Sequence, residues 1–461
     1  MSASTEHAIV YGGSMVGLVT AGVLSRHFAR VTLVERDVYG DALQPRKGVP
    51  QARLNHALLT RGMRVFQEIF PALEQRLVEA GGPRFDMGSD QGWFAHGGWR
   101  PRVDCGLRAF SVSRLLLESV VREQLRAIPH VRILDGREVT GFLTRPERAR
   151  VTGVRLRAPG GGEEEALEGA LVVDCTGRGS RTPQWLEALG QPRVEETAIR
   201  VNTVYACRLY RKPEGFAPGW SNLTLAPQMP RERALGIIQE IEGGRWQVLL
   251  GGWLGEGPEA DDASFLAFAR GLAQPHLYEA IREAEPLGPI HRYAFAHNQW
   301  RHYEKLARMP EGLAVAGDAF CSFNPIYGQG MTTGALQAEL LGQCVREGLA
   351  GVGRRYHQRA GKMLQGPWGM ATSGDLRFPE VEGRRPPGFG LMNWYGDRFQ
   401  RLAGHDAEAL RTLVRVVHML EAPSALMSPR LLLKALTASP PAVLPAGPVP
   451  LCAPRRALTG A

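Results

Sequence analysis

Three scarcities narrow the reading before any motif does. Of 55 basic residues only five are lysines, Lys47, Lys212, Lys305, Lys362 and Lys434. The net charge of +9 is therefore almost all arginine. It is spread along the chain with no dense basic run interleaved with aromatics, so no nucleic-acid partner is expected. The six cysteines, Cys105, Cys175, Cys207, Cys321, Cys344 and Cys452, show no CxxC spacing and no Cys/His cluster. That pattern excludes a zinc site or a disulfide frame and fits reduced thiols in a cytoplasmic setting. No stretch approaches the ~18 consecutive apolar residues of a membrane-spanning helix. The polar residues before His7 do not read as a secretory signal, and no internal repeat is visible. What remains is 461 residues of ordinary globular composition, 44% hydrophobic and 22% charged. At a rough prior of ~150 residues per domain, that length suggests two or three domains.

The chain opens on a short apolar run, residues 7–11, followed at once by Gly12-Gly13-Ser14-Met15-Val16-Gly17. Small apolar residues at helical spacing come next, and then a second apolar run, 31–34, that ends in Glu35-Arg36-Asp37. Strand, glycine turn, helix, strand and acid make one βαβ unit. A dinucleotide-binding turn wants Gly12 for the tight bend, a tiny residue at Ser14 for close backbone approach, and Gly17 for helix–strand packing. Glu35 stands where a carboxylate accepts the ribose hydroxyls of an adenosine half. This unit alone does not separate FAD from NAD.

A second pattern does. Gly317-Asp318 closes another buried strand and leads through Phe323-Asn324-Pro325-Ile326-Tyr327-Gly328-Gln329-Gly330-Met331 into a helix. A strand-end aspartate can accept from the ribityl or diphosphate region of a flavin nucleotide. The glycine-rich turn would aim free N–H groups at the pyrimidine edge of the ring, which becomes anionic on reduction; a helix N-terminus stabilises an anion by ~0.3–1 kcal/mol.

Together these motifs resemble the two FAD motifs of the para-hydroxybenzoate-hydroxylase-like flavin monooxygenases, and they bracket about 330 residues. Arg114, in the helical stretch after Ser113, resembles the family's diphosphate-contacting arginine. The segment Asp174-Cys175-Thr176-Gly177-Arg178-Gly179-Ser180 resembles the middle motif but departs from its Asp-Gly-x-x-Ser form. Arg46-Lys47-Gly48-Val49-Pro50-Gln51-x-Arg53, with His56 after it, looks like the epoxidase branch of polyether polyketide pathways, with squalene epoxidase a more distant relation. The resemblance covers residues 7 to about 350.

It implies an α/β fold: a Rossmann-like FAD-binding domain with an interleaved mixed or antiparallel sheet domain for substrate and a helical C-terminus. The expected pieces are 1–80, 105–190 and 290–350 for FAD, 81–104 and 191–289 for substrate, 351–437 helical, and 438–461 an extended tail. The implied cofactor contacts are Gly12, Gly13, Ser14, Met15, Val16, Gly17, Glu35, Arg36, Arg46, Lys47, Gln51, Arg114, Gly317, Asp318, Pro325, Gly328, Gln329, Gly330 and Met331. The implied chemistry is oxygen transfer from a flavin C4a-(hydro)peroxide to a bulky apolar substrate, an alkene or an electron-rich ring. NAD(P)H or a separate flavin reductase would supply electrons.

The cofactor carries such chemistry, so no acid/base pair is required. His56, Tyr327, Tyr205 and Asp104 are the candidates for a polar role in the pocket. Trp93, Trp246, Trp253, Phe295 and Phe323 are the candidates to line it. Flavin halogenases need a lysine and a Trp-x-Trp-x-Ile-Pro segment, and residues 244–250 lack the second tryptophan and the proline. The Tyr-x-Trp-x-Phe-Pro signature of related double-bond reductases is also missing. Residues 410–437 alternate Arg or Lys with Leu and Val, which suits either packing over the substrate domain or peripheral contact with a membrane.

Overall fold

The computed structural model describes residues 4–40, 43–145 and 150–437; the expected extended tail lies outside them. The first strand, Ser4–Tyr11, sits at the centre of a five-stranded parallel sheet. Its neighbours are Leu171–Asp174 and Phe28–Val34, with Leu313–Val315 and Val131–Leu134 at the edges. Ala8, Ile9 and Val10 are each 0% exposed. A parallel strand covered on both faces reads as a continuous apolar run rather than an alternation, as this one does. The helices Met15–Leu24 and Gly330–Arg346 pack against each other over this sheet. Glu138–Arg145, Arg150–Arg157 and Glu165–Glu168 form a separate three-stranded antiparallel sheet.

The second layer is an eight-stranded sheet built mainly from Glu196–Arg211, Asn222–Leu225, Ala234–Ile241, Arg245–Gly252 and His291–Arg301. The sequence assigned everything from 290 to 350 to the FAD domain; the structure moves His291–Arg301 to this sheet, where it pairs antiparallel with Glu196–Arg211. Each strand shows one side chain in two to each face. Trp246, Val248 and Leu250 go to one face, under the helices Asp262–Arg270 and His276–Ile281. Leu249, Tyr205 and Phe295 go to the other, which faces the parallel-sheet layer.

Two helices follow the first parallel strands, Thr60–Ile69 and Leu73–Glu79. Pro71 between them lacks the N–H that would continue the first. The C-terminal region is helical as expected: Val352–Asp375, Phe389–Ala403, Ala407–Val417 and Pro429–Thr437. Leu410 and Val414 bury against Leu107, with Trp93 and Met87 packed alongside. The apolar stripe of Ala407–Val417 thus packs over the segment holding Met87, Trp93 and Leu107, while Leu433 and Leu436 of the helix Pro429–Thr437 stay exposed. No helix among the described residues is long and apolar enough to cross a membrane.

His357, 1% exposed, ties the long helix to the parallel sheet. Its Nε2 accepts from the Val315 N–H at 3.1 Å and its Nδ1 faces the Gly353 carbonyl at 2.7 Å. Accepting from Val315 needs the neutral ring, and burial holds its pKa down at about 4. The unfolded chain, with a pKa of 6.5, therefore binds a proton in acid that the native state refuses. Stability is expected to fall as pH drops from 6.5 towards 4, by about 3 kcal/mol from this residue alone. His418, also buried with its pKa lowered to about 4, adds to the same loss. Thermal melts across that window check it; a flat Tm would refute the assignment.

Candidate active site

The two layers meet around a cavity of about 480 Å³. Its floor at one end is the first turn. Gly12, at φ +96°, brings its backbone so close to Cys175 that a Cβ would lie 2.5 Å from that carbonyl. The helix Met15–Leu24 starts at Ser14 without a side-chain cap, so its first N–H groups are left facing the cavity. Glu35, 7% exposed, accepts from Gly13 N at 2.6 Å and from Asp37 N at 2.8 Å, which fixes the turn to the next strand.

Arg114, 4% exposed, enters from the helix Arg114–Arg126. One of its nitrogens bonds Ser14 Oγ at 2.7 Å and Glu118 at 2.9 Å, while the other, Nη1, is buried with no partner. Opposite it, Asp318 follows the strand Leu313–Val315 between Gly177 and Gly330. No hydrogen-bond donor reaches its carboxylate among the described residues. Burial pushes its pKa up, and the nearby Arg178 and Arg114 guanidiniums partly offset that. An orphaned cationic donor, bare helix-start amides and an unpartnered, half-buried acceptor lie along one cavity. A diphosphate supplies what the first two lack and a polyhydroxyl chain what the third lacks, so the residues fit FAD.

The far end of the cavity is aromatic: Tyr293, Phe295 and Phe323, with His56 and Asn324. Burial, and secondarily Arg114, lower the His56 pKa to about 4, so the ring is neutral near pH 7. Arg178 stacks over Phe295, 4.5 Å from the ring centre, and its Nη1 donates to Ser322 Oγ at 2.6 Å and to the His297 carbonyl at 2.8 Å.

Of the residues expected to hold the cofactor, Gly12, Gly13, Ser14, Met15, Val16, Glu35, Arg36, Gln51, Arg114, Asp318, Pro325, Gly328, Gly330 and Met331 line this cavity. Gly17, Arg46, Lys47, Gly317 and Gln329 do not. Gly17 packs on the Gly12 carbonyl, and Gly317 donates its N–H to Gln337. The Arg46 guanidinium stands outside the lining, its Nη2 bonded to Glu118 and its Nη1 3.3 Å from Glu35 and 3.6 Å from Asp37 without a hydrogen bond. Lys47 is exposed, and Gln329 is buried outside the lining.

The aromatic candidates divide by strand parity. Phe295 and Phe323 line the cavity. Trp246 lies on the opposite face of its sheet, stacked on Trp220 at 6.2 Å. Trp93 packs under the C-terminal helices. Trp253 is on the cavity side but buried behind it, its Nε1 donating to Asp375 at 2.6 Å. Tyr327 and Tyr205 likewise belong to hydrogen bonds in the wall, with Asp375 and Asn324. Asp104 is exposed and remote, its carboxylate taken by Gly106 N.

Sequence reasoning missed Tyr293 and the cavity role of Arg178. Tyr293 was findable, two residues before Phe295 on a strand and so on the same face. Arg178 sits at the position where the middle motif departs from its usual form. Asp174 in that motif is 0% exposed and spent on bracing its own loop, through Thr176 and Thr182.

Comparison with known proteins agrees with this geometry. The chain is 32% identical over 386 residues to Protein Rv3254 of Mycobacterium tuberculosis (strain ATCC 25618 / H37Rv), covering 81% of each. Among solved structures it shares its fold with p-nitrophenol 4-monooxygenase PnpA from Pseudomonas putida DLL-E4 (18% identity, TM-score 0.63, 92% of this chain and 100% of that one). It also shares it with the flavin-dependent brominase Bmp2 (13% identity, TM-score 0.63, 89% and 93%). Residues 5–357 match the family described as FAD binding domain. With its turn, its unpartnered Asp318 and that match over three quarters of its length, the chain belongs to the FAD binding domain family.

Proposed function

We propose that this protein is an FAD-dependent monooxygenase that places one atom of O2 on a bulky apolar substrate, by epoxidation of an alkene or hydroxylation of an electron-rich ring. The observation that carries the reading is the continuity of one cavity from the Gly12 turn, past Asp318, to the aromatic wall of Tyr293, Phe295 and Phe323. When bound, the flavin supplies the electrons and the activation of O2. The chain does the rest. The amides at Ser14–Val16 and the free Nη1 of Arg114 bind the diphosphate. Asp318 would accept from ribityl hydroxyls, and the start of the helix Gly330–Arg346 would favour negative charge on the reduced ring. Phe295 and Phe323 keep the reacting end dry. His56, neutral near pH 7, adds no charge there.

No lysine lines the cavity, which disfavours halogenation, and no cluster of metal-ligating side chains occurs among the described residues. Electrons come from NAD(P)H bound transiently or from a separate reductase.

The test is turnover of alkenes and prenylated aromatics under ¹⁸O2, with FAD and either NAD(P)H or a flavin reductase. One ¹⁸O per product molecule is expected. Products labelled only from H2¹⁸O, products reduced at the double bond, or products formed only with added halide would overturn the reading.

A further inference from the structure

Asp375 ends the long helix Val352–Asp375, beyond the matched family segment, and is 0% exposed. Four side chains donate to its carboxylate: Trp253 Nε1 at 2.6 Å, Asn298 Nδ2 at 2.7 Å, Tyr327 OH at 2.9 Å and Asn324 Nδ2 at 3.1 Å. Trp253 follows the strand Arg245–Gly252, Asn298 lies on the strand His291–Arg301, and the last two belong to the turn Asn324–Gly328. Asn298 Oδ1 in turn accepts from Asn324 N, and Asn324 Oδ1 accepts from Tyr205 OH and Ile326 N. Each amide is oriented by a backbone N–H, so neither can flip to suit a different partner at 375. Position 374 must be glycine for this to close: a Cβ there would meet Tyr327 OH at 2.2 Å.

The turn so held is the one whose Asn324, Pro325 and Gly328 line the cavity and which delivers the chain to the helix Gly330–Arg346. It makes few backbone bonds of its own. Its position is set by side chains converging on one carboxylate from a helix that touches no part of the cavity.

We propose that Asp375 is a positioning residue for the flavin: its carboxylate fixes, through Tyr327 and Asn324, the turn that presents the helix start to the ring. The inference rests on the cavity being the FAD site and not on the oxygen-transfer reading. An amide at 375 has one acceptor oxygen for Trp253, Asn324 and Tyr327, but its NH2 would face the NH2 of Asn298. Rotating Asn298 moves the donor–donor clash to Asn324 N. Exchanging the two residues, Asp375→Asn with Asn298→Asp, gives every donor an acceptor again.

The experiment compares wild type, Asp375→Asn, the exchanged double variant, and Phe265→Leu. The last loosens the core on the far face of the wide sheet and serves as a stability control. Each is measured for Tm, FAD dissociation constant and the visible absorption band of the bound flavin. Asp375→Asn is expected to weaken FAD binding by about tenfold or more and to shift the flavin band. The exchanged variant is expected to recover both, and Phe265→Leu to lower Tm without moving either. Wild-type affinity and spectrum in Asp375→Asn overturn the proposal. So does a change that the exchange fails to recover, or one that Phe265→Leu reproduces at equal loss of Tm. Absence of FAD binding in wild type would instead sink the cavity assignment itself.

Discussion

Asp318→Ala is expected to yield a protein that folds at least as well as wild type without cofactor and retains FAD about 10- to 100-fold less tightly. Both halves follow from one fact: the carboxylate is half-buried against the cavity and no donor among the described residues reaches it. A hydrogen bond to a charged acceptor contributes ~1.5–3 kcal/mol, and each 1.4 kcal/mol is tenfold in affinity. In the apoprotein the same group is a liability. Its pKa is raised by burial, so above the usual value of 3.8 the unfolded chain ionises more readily than the native one. The native state then holds more protons, and apoprotein stability falls as pH rises through that window. Alanine removes the penalty. Asp318→Asn, which keeps the shape and one acceptor, is expected to fall between the two. Flavin fluorescence titration and apoprotein melts decide it. If Asp318→Ala lowered apoprotein Tm while leaving FAD affinity intact, the carboxylate would be structural and the site misassigned.

Local chemistry made most of the cofactor end legible. Gly12, Ser14 and Glu35 act within a single βαβ unit, and Asp318 to Met331 within one strand–turn–helix, so residue type and spacing carry the geometry. The failures share a cause. Trp246 and Phe295 read alike as aromatics in a half-buried strand, and the sequence does not say which face of the sheet meets the cofactor layer. Arg46 reads as a phosphate ligand by charge, yet Glu35 and Asp37 after one strand and Glu118 on a distant helix converge on it. Asp375 is invisible for the same reason: its four donors are spread from Trp253 to Tyr327 along the chain. Such contacts are written by tertiary packing, and only the strand parity of Tyr293 and Phe295 left a trace that could have been followed.

Gly17→Ala tests the part of the site that the sequence did express, and a single methyl is expected to disable it. A Cβ at Gly17 would lie 1.8 Å from the Gly12 carbonyl oxygen. Both atoms belong to fixed frames: Gly17 is in the first turn of the helix Met15–Leu24, and Gly12 is itself wedged against the Cys175 backbone. No rotamer relieves a contact of this kind, so helix and strand must part by an ångström or more. That displaces the amides of Ser14–Val16 from each other and from Arg114. Overpacking of a rigid core costs ~1–3 kcal/mol, and backbone-on-backbone contact belongs at or above the top of that range. Loss of at least about 3 kcal/mol of stability, together with loss of detectable FAD binding, is therefore expected. Gly40→Ala supplies the comparison, since a Cβ there meets nothing within 4 Å, and it should stay within about 0.5 kcal/mol of wild type. Near-wild-type melting and flavin content in Gly17→Ala would mean that the helix can slide on the sheet. The turn would then bind through charge from Arg114 alone rather than through a preformed row of backbone amides.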